Sequence, residues 1–255
     1  ICAVLYWYAQ NAPDHGRGTK GGTDMDMQVW MKEFQEAVRA AFGERVVCIG
    51  LQGSRGRGEA SETSDIDAAV IFDRLCPDDL RRYDRAVSAL PHRALLCGFV
   101  AGRAELERWD DADLFQFWFD TTPVYGSLDF LRPRITEAAA QRAVRMGACN
   151  LYHACAHNML HEKSPEVLGA LLKSAVFTVQ AKHCCAHGAY IRQHRALCRA
   201  VSGADREIIE AALAAKAGKA LDFEKTSDLL FTWAGELIRQ PPCRGPIGTS
   251  APRGE

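Results

Sequence analysis

Gly50-Leu-Gln-Gly53-Ser54-Arg-Gly-Arg57-Gly58-Glu-Ala-Ser-Glu-Thr-Ser64-Asp65-Ile66-Asp67-Ala-Ala-Val-Ile-Phe72-Asp73 is the stretch on which the reading of this chain turns. Before it, Arg45 to Leu51 is a short β-branched run and predicts a buried strand. Ile66 to Phe72 predicts a second buried strand, and the glycine-rich, polar residues 52–64 link the two. Side chains alternate along a strand, so Asp65 and Asp67 share one face about 7 Å apart along the chain. A connecting loop has no use for acids on alternate residues of an otherwise apolar strand, where unpaired carboxylates are costly to bury. Two carboxylates at a strand's start can share divalent cations, and magnesium favours a few hard oxygens completed by substrate phosphates. Gly53 lets the backbone approach phosphate closely, and Ser54 adds a hydroxyl.

On the N-terminal side, Trp30, Phe34, Val38 and Ala41 recur every three to four residues and Gly43 comes after them, which predicts an amphipathic helix over 27–42. On the C-terminal side, Pro77, with Asp78 and Asp79 after it, opens a second helix whose apolar face is Leu80, Tyr83, Val87 and Leu90. Arg93 to Val100 reads as a third strand. Asp113 to Asp120 fits strand or helix, and Pro123 and Gly126 break the segment after it. Beyond Pro133 the texture changes: Pro165 is the only proline up to Gln240, and alanine-rich stretches predict helices near 135–161, 165–187, 192–200, 204–217 and 222–239. The fold class is therefore α+β, with a mixed domain over 25–133 and an all-helical domain over 134–240. Residues 1–24 precede the first methionine, Met25, lack periodicity and are read as a disordered leader; residues 241–255, rich in Pro and Gly, are read as a disordered tail.

Composition narrows the function classes. The 255 residues are 47% hydrophobic and 25% charged, the balance of a globular protein. Lys and Arg total 31 against 32 Asp and Glu, a net charge of −1 that gives no support for coating nucleic acid through bulk charge. The ten cysteines are scattered without a C-x2-C pair, which argues against a zinc ribbon and for reduced thiols in a cytoplasmic setting.

Strand, Gly-Ser and Asp-x-Asp together resemble the nucleotidyltransferase superfamily that includes DNA polymerase beta. The likeness is closer to its bacterial branch of minimal and aminoglycoside nucleotidyltransferases, whose G-S-x-x-R-G-x-x-x-x-x-S-D-I-D segment is filled here by Gly53, Ser54, Arg57, Gly58, Ser64, Asp65, Ile66 and Asp67. The resemblance implies a polymerase-beta-like domain followed by a helical one that shapes the acceptor site. It implies transfer of a nucleoside monophosphate from an NTP, ATP by family frequency, to a hydroxyl acceptor with release of pyrophosphate. Asp65 and Asp67 would hold Mg2+, while Gly53, Ser54, Arg57 and Ser64 would bind the nucleotide; Arg55 is a second candidate for phosphate charge. The acceptor would be a small hydroxylated molecule such as an aminoglycoside, or a protein or tRNA as in toxin–antitoxin systems.

These enzymes usually place a third acid on the neighbouring strand, and Arg93 to Val100 contains none. Glu105, just past that strand, and Asp120 are the candidates. The gap motivates an alternative: a non-catalytic nucleotide-binding or antitoxin-like module of the same fold. Six of the eight histidines lie between 153 and 194, and His153, His157, His161 and His183, His187 recur at intervals of four, a geometry able to bind zinc. An inter-helix face is the simpler expectation. Phe115, Phe117, Trp118 and Phe119 are read as core rather than a base-stacking surface, and Asp110 to Asp113 as a solvated turn.

Overall fold

The structure, a computed structural model, describes residues 25–240 apart from Thr63, so the expected leader and tail lie outside the described residues. Two compact units divide the described chain: residues 25–110 with 118–133, and residues 111–117 with 134–240. The chain crosses between them three times, whereas the sequence suggests a single seam near 133.

The first unit is built on a mixed sheet of order β3-β2-β1-β4. Strand β1 (Val46–Leu51) runs antiparallel to β2 (Ile66–Phe72), with Gly50 opposite Ala69 and Leu51 opposite Ala68. Strand β3 (Leu96–Gly102) lies parallel to β2, Ile66 beside Leu96 and Phe72 beside Gly102. Helix α1 (Met27–Phe42) starts at Asp26, whose carboxylate accepts from the Gln28 and Val29 amides at 2.9 and 3.2 Å. Its Trp30, Phe34, Val38 and Phe42 join Ile49, Leu51, Ile66, Ala68, Val70 and Phe72 in one core cluster. The even-numbered residues of β2 thus face α1, which turns Asp67 to the other side of the sheet.

Two details differ from the sequence reading. Residues Arg93–Leu95 form a 3-10 turn rather than strand, and β3 extends to Gly102. The fourth strand, β4 (Thr122–Gly126), goes unpredicted because Pro123 and Gly126 look like breakers. An edge strand tolerates both: β4 pairs only with β1, Pro123 sits at an irregularity of that pairing, and a Cβ on Gly126 would lie 2.0 Å from the Val47 carbonyl oxygen.

In this unit α2 is the single turn Gly53–Gly56, α3 is Pro77–Val87 and α4 is the turn Arg103–Leu106. The segment that fits strand or helix by sequence is helix α5 (Asp111–Asp120), of which only the last three residues belong to this unit. Arg45 ties the start of β1 to α3, donating to both Asp79 oxygens at 2.7 and 3.0 Å. These hydrogen bonds, helped by those from Cys76, hold the Asp79 carboxyl well below the usual carboxylate range. A depressed folded-state pKa contributes stability that is fully present above about pH 4, the unfolded value, and disappears as pH falls towards the folded one. Arg45→Met is therefore expected to lower the melting temperature at pH 6, with the gap from wild type narrowing steadily on acidification to about pH 2.5. A gap independent of pH in differential scanning fluorimetry would contradict this.

The helical unit contains α6 (Glu137–His157), α7 (Pro165–His187), α8 (His194–Ala200), α9 (Gly203–Lys216) and α10 (Phe223–Arg239). Thr136, Ser164 and Asp222 cap α6, α7 and α10 by accepting first-turn amides. Gly147 lets α6 lie against α7, since a Cβ there would meet the Thr178 hydroxyl at 2.2 Å. Asp205 binds α9 to both neighbours, accepting Lys182 on its two oxygens at 2.8 Å and the Trp233 indole at 2.7 Å. Phe115, Phe117 and Phe119 are buried, as a core reading expects. The described cysteines form no disulfide, and among the described residues no helix is long and apolar enough to cross a membrane.

The set His153, His157 and His161 fits neither a zinc site nor an inter-helix face, whereas the half-buried His183 has its Nδ1 3.1 Å from the Ala189 carbonyl. His153, His157 and His161 are exposed, so they line no such face. His157 packs on His161 with ring centroids 4.8 Å apart, and His183 on His187 at 4.5 Å. Among the described residues no three His, Cys, Asp or Glu side chains are grouped to hold a metal.

Candidate functional site

The end of β1 and the start of β2 bring Gly53 and Asp67 together. The Gln52 amide donates to the Asp67 carbonyl at 2.8 Å, extending the ladder past Leu51. The chain then turns at Gly53 with φ +65°, a conformation that suits glycine. The Asp67 carboxylate fills the space where a side chain would be: a Cβ on Gly53 would lie 1.8 Å from Asp67 Oδ2. Asp67 is half-buried, whereas Asp65, just ahead of the strand, is exposed. Two hard-oxygen donors therefore stand at one strand end beside a backbone stripped of side-chain bulk.

Arg55 and Arg57 have other partners than phosphate. The Arg55 guanidinium donates to the Ser64 carbonyl at 2.8 and 3.1 Å, to Asp65 at 3.2 Å and to Glu62 at 3.4 Å. It grips the main chain of the loop that presents Asp65. Arg55→Met removes these charge-assisted bonds and is expected to cost about 1–3 kcal/mol. Amide exchange over 58–65 should speed up well before that of β2; unchanged exchange in that loop would refute the clamp.

Arg57, expected on the nucleotide, is only 6% exposed, with Nη1 2.8 Å from Asp120 Oδ1 and Nε 3.6 Å from Glu59. Ser64, also expected there, closes its own loop: its hydroxyl accepts the Ser61 amide at 2.9 Å and lies 3.1 Å from the Ser61 hydroxyl. Ser54 lies in the α2 turn, half-buried, its carbonyl accepting from the Glu59 amide at 2.8 Å.

The two candidates for a third acid part company. Asp120 ends α5 and reaches the motif, its Oδ2 accepting the Gly53 amide at 3.1 Å, while the next residue, Thr121, accepts from the Gln52 side chain at 2.7 Å. Glu105 does not come to the site, which corrects the sequence expectation. Strands β2 and β3 are parallel, so residues past the end of β3 lie beside Phe72, about 17 Å along the strand from Asp67. The Glu105 carboxylate covers Gly102 instead, where a Cβ would meet Oε2 at 2.2 Å. Beside Asp67 in register stands Cys97, an exposed thiol, and β3 contains no acid.

Residues 31–94 match the family model described as a nucleotidyltransferase domain. Among solved structures the chain is similar to spectinomycin adenyltransferase AAD(9) from Enterococcus faecialis, determined with ATP and spectinomycin, with a TM-score of 0.55 and 12% identity. That alignment covers 84% of this chain and 100% of the other. No curated protein sequence matches the chain. The likeness to polymerase-beta-like nucleotidyltransferases thus holds both in the motif-bearing sequence and in the fold.

Proposed function

We propose that this nucleotidyltransferase domain transfers a nucleoside monophosphate from an NTP, ATP in the first place, to a hydroxyl of a small molecule of aminoglycoside type, in the cytoplasm. The observation that carries the reading is the fit of the Asp67 carboxylate into the side-chain-free space at Gly53. In the reaction the acceptor oxygen would bond to the α-phosphorus as the α–β bridging P–O bond breaks. Pyrophosphate leaves with that electron pair, and the acceptor hydroxyl gives up its proton to solvent water.

Asp65 and Asp67 fit Mg2+, since two carboxylates suffice for an ion that completes its shell with water and phosphate oxygens. When bound there, the ion would supply charge to offset the triphosphate and lower the pKa of the acceptor hydroxyl. Asp67 is held by the sheet and by contact with Gly53; Asp65 is held through its carbonyl by Arg55. Ser54 and the α2 turn would meet the phosphates.

Incubation of the full chain with labelled ATP, Mg2+ and an acceptor panel that includes spectinomycin tests the reading through pyrophosphate release and a nucleotidylated product. Cys97, standing where a third acid would be sought, favours the second reading, a nucleotide-binding module without turnover. ATP binding without pyrophosphate across the panel would decide for it, and no ATP binding would refute both.

A further inference from the structure

We infer that Asp120 is a positioning residue of this site, one that holds the Gly53 turn against Asp67, and not the third metal-ligating carboxylate. The inference rests on the nucleotidyl-transfer reading for its purpose, but its geometry stands apart from it. Asp120 is 9% exposed, and both of its oxygens have donors: Nη1 of Arg57 at 2.8 Å on Oδ1, and the Gly53 amide at 3.1 Å on Oδ2. One side chain, brought in from sixty-seven residues away, therefore grips the motif at both Gly53 and Arg57. Thr121 adds a further hold through Gln52, whose main-chain amide in turn donates to the Asp67 carbonyl. The chain Asp120–Gly53–Asp67 is continuous in contact: the Gly53 amide is drawn to Asp120 while its Cα faces the Asp67 carboxylate.

Electrostatics set Asp120 apart from the exposed Asp65. Its charge is already answered by a buried guanidinium, and a divalent cation on its Oδ1 would lie within about 5 Å of that guanidinium. Removing the Asp120 charge would take from the buried Arg57 its 2.8 Å carboxylate partner and leave the Glu59 carboxylate at 3.6 Å from Nε, a more costly state than removing both members of the Arg57–Asp120 pair. The pair is thus a coupled unit whose loss displaces the turn.

The test uses the full chain as Asp120→Asn, Asp120→Ala, Arg57→Met and the Arg57→Met/Asp120→Asn double variant. Without nucleotide, Asp120→Ala should raise amide exchange at Gly53 at least about tenfold, because the carboxylate that accepts this amide is gone. The double variant should melt higher than the sum of its single losses predicts. With ATP, Asp120→Asn should weaken nucleotide binding about tenfold yet leave the Mg2+ concentration for half-maximal binding within about twofold of wild type, whereas Asp67→Asn should shift it more than about tenfold. A Mg2+ shift in Asp120→Asn matching that of Asp67→Asn would make Asp120 a ligand and overturn the inference. So would additive melting losses or unchanged exchange at Gly53. If Asp120→Ala fails to fold, an Arg57→Met/Asp120→Ala double variant, which loses the acceptor without stranding the guanidinium, carries the exchange measurement. Failure of the wild type to bind ATP would sink the nucleotide reading instead, and the exchange and melting arms would then decide the linkage alone.

Discussion

Asp67→Asn is expected to reduce nucleotidyl transfer about 10³-fold or more while leaving the fold intact. The side chain keeps its shape, and the main-chain carbonyl that accepts from Gln52 is untouched, so the join between β1 and β2 persists. What is lost is one unit of negative charge at the place where the proposed cation would bind. Charge stabilisation by a bound metal contributes several kcal/mol to a transition state, and about 4 kcal/mol corresponds to the expected factor. The melting temperature should change by no more than about 2 °C, because an isosteric amide fills the same half-buried space beside Gly53. Asp65→Asn should act in the same direction. Pyrophosphate release measured against Mg2+ concentration checks both. Wild-type turnover by Asp67→Asn would remove the pair from the chemistry.

The parts of the fold that are legible in the sequence are those set by local pattern. Helix α1 shows in the spacing of Trp30, Phe34 and Val38, and β2 in a run that is apolar but for Asp67. Strand β4 is hidden because Pro123 obeys a rule about strand interiors, and only the topology reveals it as an edge. At the site, Gly53, Asp65 and Asp67 are readable because they lie within fifteen residues and their relation follows from strand geometry. Glu105 misleads through chain proximity to β3. Parallel pairing sends the end of β3 to the Phe72 end of β2, away from Asp67. Asp120 reaches Gly53 across sixty-seven residues, and no periodicity encodes such a contact. The arginines show the same limit: composition supplies a guanidinium but not its partner, and Arg57 turns its charge to Asp120 and Glu59 inside the protein.

Gly53→Ala should be nearly as damaging as loss of Asp67, for a steric reason. The substitution meets two separate penalties. The first is backbone: φ +65° is a left-handed conformation that costs an alanine roughly 1–2 kcal/mol. The second is contact: the new Cβ would stand 1.8 Å from Asp67 Oδ2, 2.7 Å from Cγ and 3.2 Å from Cβ, so the carboxylate must move by more than an ångström. Misplacement of about 1 Å at a reacting centre costs about 10²-fold in rate. Gly58 separates the two penalties, since it has φ +68° but nothing within 4 Å of the place a Cβ would occupy. Gly58→Ala should therefore share the loss of stability, a few degrees in melting temperature, without the displacement of Asp67. Gly53→Ala should add to that a fall of about 10²-fold or more in kcat/KM and a matching rise in the Mg2+ needed for ATP binding. Equal kinetic effects of the two substitutions would mean that the space at Gly53 serves only the turn, and the cradle for Asp67 would have no part in the reaction.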